Sequence, residues 1–207
     1  GENVHTLRIG DDRLKGFGTG MDPRLAREVA EKSKARIQEF VSLRETKGAD
    51  LTFLLAALGG GTGSGLLPFV ADVLKDPENI TIGIATKPFL FEGGARKRLA
   101  EETIEKVQRK VDSLILISND RIFNQIDRIT GFEDAFALID STIGEAVGGM
   151  VDLIHTPGIV NIDFADLRTV TKESGLGILG VGNARGKDRA KEAARAAISS
   201  PFLDFSI

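Results

Sequence analysis

The sequence predicts an α/β fold built on a mostly parallel sheet. Three observations predict it. Strand-like and helix-like patterns alternate between residues 51 and 117. Two of the candidate strands, Leu51–Leu58 and Val111–Ile117, are nearly continuous apolar runs, as expected of strands buried inside a domain. Between the first of these strands and a helix-like segment lies Gly59-Gly60-Gly61-Thr62-Gly63-Ser64-Gly65, a glycine loop in the position where parallel sheets hold ligands, at a strand's carboxyl end.

The elements follow in order. Val4 to Ile9 alternates and reads as a short strand, closed by the turn Gly10-Asp11-Asp12. Gly16-Phe17-Gly18-Thr19-Gly20 is a second glycine loop. Asp22-Pro23 then starts a helix, with Asp as N-cap and Pro at the first helical position. That helix runs to about Val41, with Leu25, Val29, Ile37 and Phe40 available for its apolar stripe. After the strand at 51–58, the helix Leu66–Lys75 carries Pro68 in its first turn, where a missing N–H costs little. Asn79–Ala85 alternates Ile80, Ile82 and Ile84 as a strand, and Thr86-Lys87-Pro88-Phe89 sits at its carboxyl end. A helix covers roughly 94–111 and leads into the strand Val111–Ile117. Phe132 to His155 is a long helix, stopped by Pro157-Gly158. A short helix over Phe164–Glu173, a glycine-rich strand-like stretch over Gly175–Ala184 and an alanine-rich helix over Lys187–Ser200 complete the chain.

Composition bounds the function. The chain has 207 residues, enough for one or two domains with a sizeable core, and is 42% apolar and 28% charged. No apolar run approaches the roughly 18 residues that span a bilayer, and no signal peptide or lipidation motif is visible, so direct membrane insertion is not expected. A net charge of −3 gives no electrostatic reason to expect nucleic acid as a partner. The absence of cysteine excludes disulfides and thiolate metal sites and fits a cytosolic protein. His5 and His155 stand far apart in sequence and form no ligand cluster, so no metal site is expected from side chains.

A glycine loop between a buried strand and a helix is a cradle for phosphate. Backbone N–H groups converge there, and the helix N-terminus adds partial positive charge. The loop is neither a P-loop, since no lysine closes it, nor a dinucleotide loop, since the G-x-G-x-x-G spacing fails in every register. Gly175-Leu176-Gly177-Ile178-Leu179-Gly180 does satisfy that spacing, yet no strand precedes it and no helix opens from it. It reads as a glycine-bearing strand.

The string Gly59–Gly65 resembles the signature of the tubulin/FtsZ family, the loop that holds the nucleotide phosphates there. Five further matches follow in order over nearly the whole chain. Gly16–Pro23 is similar to the family's second phosphate loop. Thr86–Phe89 with Phe91-Glu92-Gly93 resembles the loop beside the ribose. Ser118-Asn119-Asp120-Arg121 resembles the Asn-Asp-Arg/Lys segment. Pro157-Gly158 with Asn161–Asp166 matches the synergy loop. Ala196–Pro201 is also a family string.

The resemblance implies a GTPase domain with a Rossmann-like parallel sheet over residues 1–131, a long central helix over 132–156, and the synergy loop and opening of a second α+β domain over 157–207. It implies that Gly18, Thr19, Gly20, Gly60, Gly61, Thr62, Gly63 and Ser64 hold phosphate. Pro88, Glu92 and Arg96 would border sugar and phosphates, although Glu92 and Arg96 by themselves read as an i,i+4 salt bridge. Phe136, by default a core aromatic, would stack on the base. Asp140 would read guanine through N1–H and the 2-amino group, or that role would shift to Ser141, because the family's Asn-Asp is Asp140-Ser141 here. Asp163 and Asp166, spaced as a helix N-cap and third helical residue, would together with Asn161 project into a neighbouring subunit's site and orient the water that attacks the γ-phosphate.

The cofactors implied are GTP or GDP, with Mg2+ held through the phosphates. The partners implied are further copies of the chain in a head-to-tail polymer, and membrane adaptors reached through a tail that this sequence lacks. The location implied is the cytoplasmic division site at midcell. Nothing upstream of Val4 supplies the family's first phosphate loop, and the second domain is cut short at Ile207, so the chain reads as a fragment that binds GTP poorly alone. The rival expectations are a related cell-shape protein, a nucleotide-dependent scaffold that does not hydrolyse, and a monomeric nucleotide-cofactor enzyme.

Overall fold

The computed structural model describes residues 4–10, 14–42, 50–123, 131–155, 163–172, 174–178, 180 and 182–199. Within them lie four strands and eight α-helices. The order is α1 (Pro23–Lys32), α2 (Lys34–Val41), β1 (Leu51–Ala57), α3 (Gly61–Leu74), β2 (Ile80–Lys87), α4 (Gly94–Val107), β3 (Ser113–Ser118), α5 (Asn119–Phe123), α6 (Phe132–His155), α7 (Phe164–Thr171), β4 (Gly175–Gly177) and α8 (Arg189–Ile198). A single 3-10 turn, Leu90–Glu92, precedes α4. Among the described residues no helix is long and apolar enough to cross a membrane.

The strands form one sheet in the order β1-β2-β3-β4, every pair parallel. The registers place Leu51 beside Ile80, Ile82 beside Ser113, and Ser113 beside Gly175. All carboxyl ends therefore emerge on the same side. β2 is central and buried along almost its whole length. Its Ile80, Ile82 and Ile84 pack with Ile139 and Met150 of α6 on one face. On the other face Ala85 and Leu114 meet Leu67 and Ala71 of α3 and Ala100 and Val107 of α4. A third cluster, Ala30, Ile37 and Phe69, seats α1 and α2 on the outside of α3.

The predicted α/β class and parallel sheet are found, and four local expectations are corrected. Residues 4–10 form no strand. Leu7 and Ile9 do turn inward against the outer helical cluster, so the alternation is real, but among the described residues no strand pairs with them. β1 is half-buried rather than buried, with Leu55 52% exposed, because it is the edge of the described sheet. The helix from Pro23 breaks at Ser33, whose φ of −98° and ψ of 7° separate α1 from α2. Finally, α3 starts at Gly61, not Leu66, so Pro68 lies inside the helix. Proline has no N–H, which leaves the carbonyl of Ser64 without its intrahelical donor.

The predicted N-cap holds. Asp22 accepts from the backbone N–H of Arg24 at 2.9 Å and of Leu25 at 3.2 Å. The amino end of the sheet is clamped by Asp112. Its carboxylate accepts the Thr81 N–H at 2.8 Å, its own N–H donates to the Thr81 carbonyl at 2.9 Å, and its carbonyl takes the Gly175 N–H at 3.2 Å. Three strands are thus tied at one residue.

Candidate functional site

At the carboxyl ends of β1 and β2 opens a cleft of about 510 Å³. Gly60, Pro88, Glu92, Arg96, Phe136 and Asp140 all line it. Residues from five separate stretches of sequence thus meet in one concavity, placed there by β1 and the start of α3, the end of β2, the 3-10 turn, α4 and α6.

One end of the cleft closes at Gly60, against the start of α3; Gly18, Thr19, Gly20, Gly61, Thr62, Gly63 and Ser64 lie beside it and are not among its lining residues. Gly60 is the N-cap, and Gly61, Thr62 and Gly63 are the first helical residues, whose N–H groups have no partner within the helix. Ser64 donates its N–H to the Gly60 carbonyl at 3.2 Å, and its buried hydroxyl accepts the Gly59 N–H at 3.0 Å. It therefore braces the loop. Gly59 stands at φ 91°, in the left-handed region that glycine tolerates. Gly61 is required by contact: a Cβ there would fall on the Thr19 hydroxyl and 2.6 Å from the Asp22 backbone nitrogen. The second glycine loop is therefore pressed against the first. A Cβ on Gly18 would sit 3.4 Å from the Thr62 hydroxyl, and Gly20 has open space beside it. Thr19 is 8% exposed, and its hydroxyl has no hydrogen-bond partner among the described residues.

Glu92 and Arg96 hold each other across 3.1 Å. The same carboxylate accepts the Phe89 N–H at 2.9 Å, which fixes the 3-10 turn at the rim. Asp120 accepts the Leu90 N–H at 3.0 Å and ties α5 to that turn. The salt bridge read from sequence exists, inside the cleft wall rather than on an open helix face.

Phe136 is 43% exposed, so it is not a core aromatic. Its ring meets Phe89 edge-on at 5.6 Å, and Phe89 stacks on Phe91 at 4.8 Å. Asp140 lies one turn further along α6 and also faces the cleft. The Ser141 hydroxyl donates back to the Leu138 carbonyl at 2.9 Å.

Asn119 also lines the cleft, and sequence reading gave it no role. It is 6% exposed, and its Oδ1 has no hydrogen-bond partner among the described residues. Its place directly after β3 was the available signal, since ligands gather at strand carboxyl ends. A buried, unsatisfied carbonyl beside a cleft fits a ligand that donates a hydrogen bond.

The acidic pair lies elsewhere. Asp163 is the N-cap of α7 and Asp166 its third residue, as the spacing predicted. The Asp166 carboxylate accepts the Asp163 N–H at 3.3 Å, and both side chains are exposed. α7 is moored to the amino end of the sheet: Arg168 and Lys172 donate to the Pro77 carbonyl at 2.9 and 3.0 Å, just ahead of β2. The cleft opens at the other end of β2, whose eight residues extend about 26 Å. Asn161 lies outside the described residues. Among the described residues no three His, Cys, Asp or Glu side chains gather as a metal site.

A family model described as the Tubulin/FtsZ family, GTPase domain, matches residues 2–127. The cell division protein FtsZ of Coxiella burnetii is 43% identical over 198 residues, covering 96% of this chain and 50% of that protein. The chain thus spans about half the length of this curated relative. Among solved structures, an FtsZ dimer of M. jannaschii, described as empty, matches 95% of this chain and 55% of its own at 35% identity and a TM-score of 0.83. CetZ2 of Haloferax volcanii, solved as a GTPγS-bound protofilament, matches 95% of this chain and 57% of its own at 26% identity and a TM-score of 0.78.

Proposed function

From the premise that this chain belongs to the tubulin/FtsZ family, we propose that it binds GTP in the cleft and hydrolyses it only when a second copy supplies the acids of α7. The observation that carries this reading is the separation of the two sites. The helix that carries Asp163 and Asp166 is moored through Arg168 and Lys172 at the amino end of the sheet, and the cleft opens at the carboxyl end. On this reading the acids of one chain would not reach a phosphate held in the same chain's cleft. In a head-to-tail pair, the amino end of one copy faces the carboxyl end of the next.

The cleft residues divide the work of binding. The N–H groups of Gly61, Thr62 and Gly63 and the dipole of α3 face the phosphates. The Arg96 fork adds charge-assisted bonds, with Glu92 holding it in place. Phe136 offers its ring to the base. Asp140 accepts from guanine, and the engagement of the Ser141 hydroxyl with the Leu138 carbonyl favours Asp140 over Ser141 for that role. Asn119 Oδ1 accepts from the nucleoside, and the Thr19 hydroxyl donates to phosphate. Mg2+ would be carried by the phosphates and would neutralise their charge; the described residues offer no side-chain cluster to hold it. Asp163, Asp166 and Asn161 of the neighbouring copy would orient the attacking water. A cytoplasmic, filament-forming role at a division site belongs to the same proposal.

The test is assembly-linked turnover in the full-length protein. Light scattering should rise on addition of GTP and not of GDP. Phosphate release per subunit should climb with protein concentration. A turnover per subunit that is flat in concentration would refute the shared site.

A further inference from the structure

Helix α7 carries the acids on a short element with little apolar anchorage. Of its eight residues only Thr171 is buried, Phe164 is partly buried against the β2 cluster, and Val170 is 72% exposed. The bond from the Asp163 N–H to the Asp166 carboxylate fixes the acids to each other and not to the sheet. The polar anchorage of α7 converges on one acceptor. Arg168 and Lys172, one turn apart, donate to the Pro77 carbonyl at 2.9 and 3.0 Å. That carbonyl belongs to a braced turn. The Asp76 carboxylate accepts the Glu78 N–H at 2.9 Å, the Asp76 carbonyl accepts the Asn79 N–H at 3.2 Å, and the Pro77 ring sets its own φ. Asn79 Nδ2 donates to the Thr52 hydroxyl of β1 at 2.9 Å, and Ile80 donates to the Asp50 carbonyl at 2.9 Å. The acceptor is thus fixed to two strands independently of α7. One bond to it would leave the helix free to swing. Two donors one turn apart oppose that rotation, and Asp166 is only two residues from Arg168.

We propose that Arg168 and Lys172, with the turn at residues 76–79, are positioning residues that set the angle at which α7 presents Asp163 and Asp166 to a neighbouring copy's nucleotide. This role rests on the shared-site reading above and deepens it: the amino end of the sheet, and not the acid pair alone, determines where the acids point. Groups that orient a nucleophile must be held closely, since a displacement of about 1 Å can cost about 100-fold in rate. Arg168 and Lys172 act through the acids and touch neither nucleotide nor water.

The test is steady-state GTP turnover of the full-length protein above its assembly threshold, with polymer mass measured by sedimentation in the same samples. Five proteins are compared: the parent, Asp166→Asn, Arg168→Met/Lys172→Met, the donor exchange Arg168→Lys/Lys172→Arg, and Asp76→Ala. Asp76 and Lys172 are exposed and Arg168 is half-buried, and circular dichroism checks that each variant is folded. Arg168→Met/Lys172→Met loses both donors while every cleft stays intact. Its kcat per polymerised subunit should fall about tenfold or more, with KM for GTP and the sedimented fraction unchanged. The donor exchange keeps two N–H donors and should return kcat to within about threefold of the parent. Asp76→Ala loosens the turn without touching α7 and should lower kcat about threefold or more. Parent-like turnover in Arg168→Met/Lys172→Met, beside an inactive Asp166→Asn, overturns the positioning role and leaves the shared site standing. Parent-like turnover in Asp166→Asn overturns both. A loss that the donor exchange does not recover overturns the assignment to the Pro77 bonds. If the double methionine variant does not fold, parent-like turnover in Asp76→Ala overturns the role by itself.

Discussion

The two ends of the sheet treat their polar groups in opposite ways. At the amino end, Asp112 spends its carboxylate, N–H and carbonyl on β2 and β4, and the Pro77 carbonyl accepts from both Arg168 and Lys172. At the carboxyl end, Thr19 Oγ1 and Asn119 Oδ1 are buried without a partner among the described residues, and Phe136 stands 43% exposed. Asn79 Oδ1 is an exception at the amino end, but that side chain is anchored through its Nδ2 to Thr52 at 2.9 Å. Folding satisfies polar groups wherever nothing else will do so. The end that leaves them open is the end that expects a ligand. The exposed acids on α7 belong to the satisfied end, and under the proposed function they would act on the nucleotide of a second molecule.

The largest effect is expected from severing the two ends functionally. Asp166→Asn in the full-length protein keeps an oxygen that can accept the Asp163 N–H, so α7 stays capped while the negative charge is lost. Phosphate release should fall by at least about 100-fold, the low end for a positioned acid–base group, with GTP affinity unchanged and filaments longer-lived. Turnover equal to the parent would remove Asp166 from the mechanism and leave it a helix cap.

The opposite outcome is expected at the amino end from Asp112→Ala. Losing the carboxylate strands a partly buried N–H on Thr81 and should cost about 1.5–3 kcal/mol of stability, the range for a hydrogen bond to a charged group. Urea unfolding reads that loss, while nucleotide affinity measured well below the transition should hold. A drop in affinity without a drop in stability would erase the distinction between the ends.

Much of this contrast was legible in the sequence, for reasons that particular residues make plain. The alternating Ile80, Ile82 and Ile84 of β2 and the 24 residues of α6 were readable because a period of two and a long helical period both leave strong patterns. The Asp22 cap was readable because capping is local chemistry. The start of α3 was not. Gly61, Gly63 and Gly65 look like loop residues by propensity, and only tertiary contact explains why glycine is needed inside a helix: the Thr19 loop presses on Gly61, the Ala57 carbonyl on Gly63 and the Pro23 carbonyl on Gly65. Val4–Ile9 misled for the converse reason: alternation reports one buried face and says nothing of whether a strand lies alongside. Within the site, Phe136 was legible by resemblance alone, since an apolar helix position defaults to core. Asn119 was passed over because its meaning lies in a missing hydrogen bond, which no sequence pattern displays.

Asn119 gives the smallest effect and the finest division between the ends. Its Oδ1 is unsatisfied among the described residues, so Asn119→Ala removes a buried polar atom that makes no bond to any of them. Desolvating such an atom costs free energy in the folded state, and its removal is neutral or mildly stabilising. The opposite holds with nucleotide present: a neutral hydrogen bond contributes about 1 kcal/mol, so GTP affinity should fall about fivefold. Stability without ligand and affinity for ligand should therefore move in opposite directions, which a purely structural asparagine does not do. Thermal unfolding with and without GTP reads both in one experiment. A variant that loses stability in the absence of nucleotide would show that Asn119 has a protein partner, and would shift it from the open end of the sheet to the closed one.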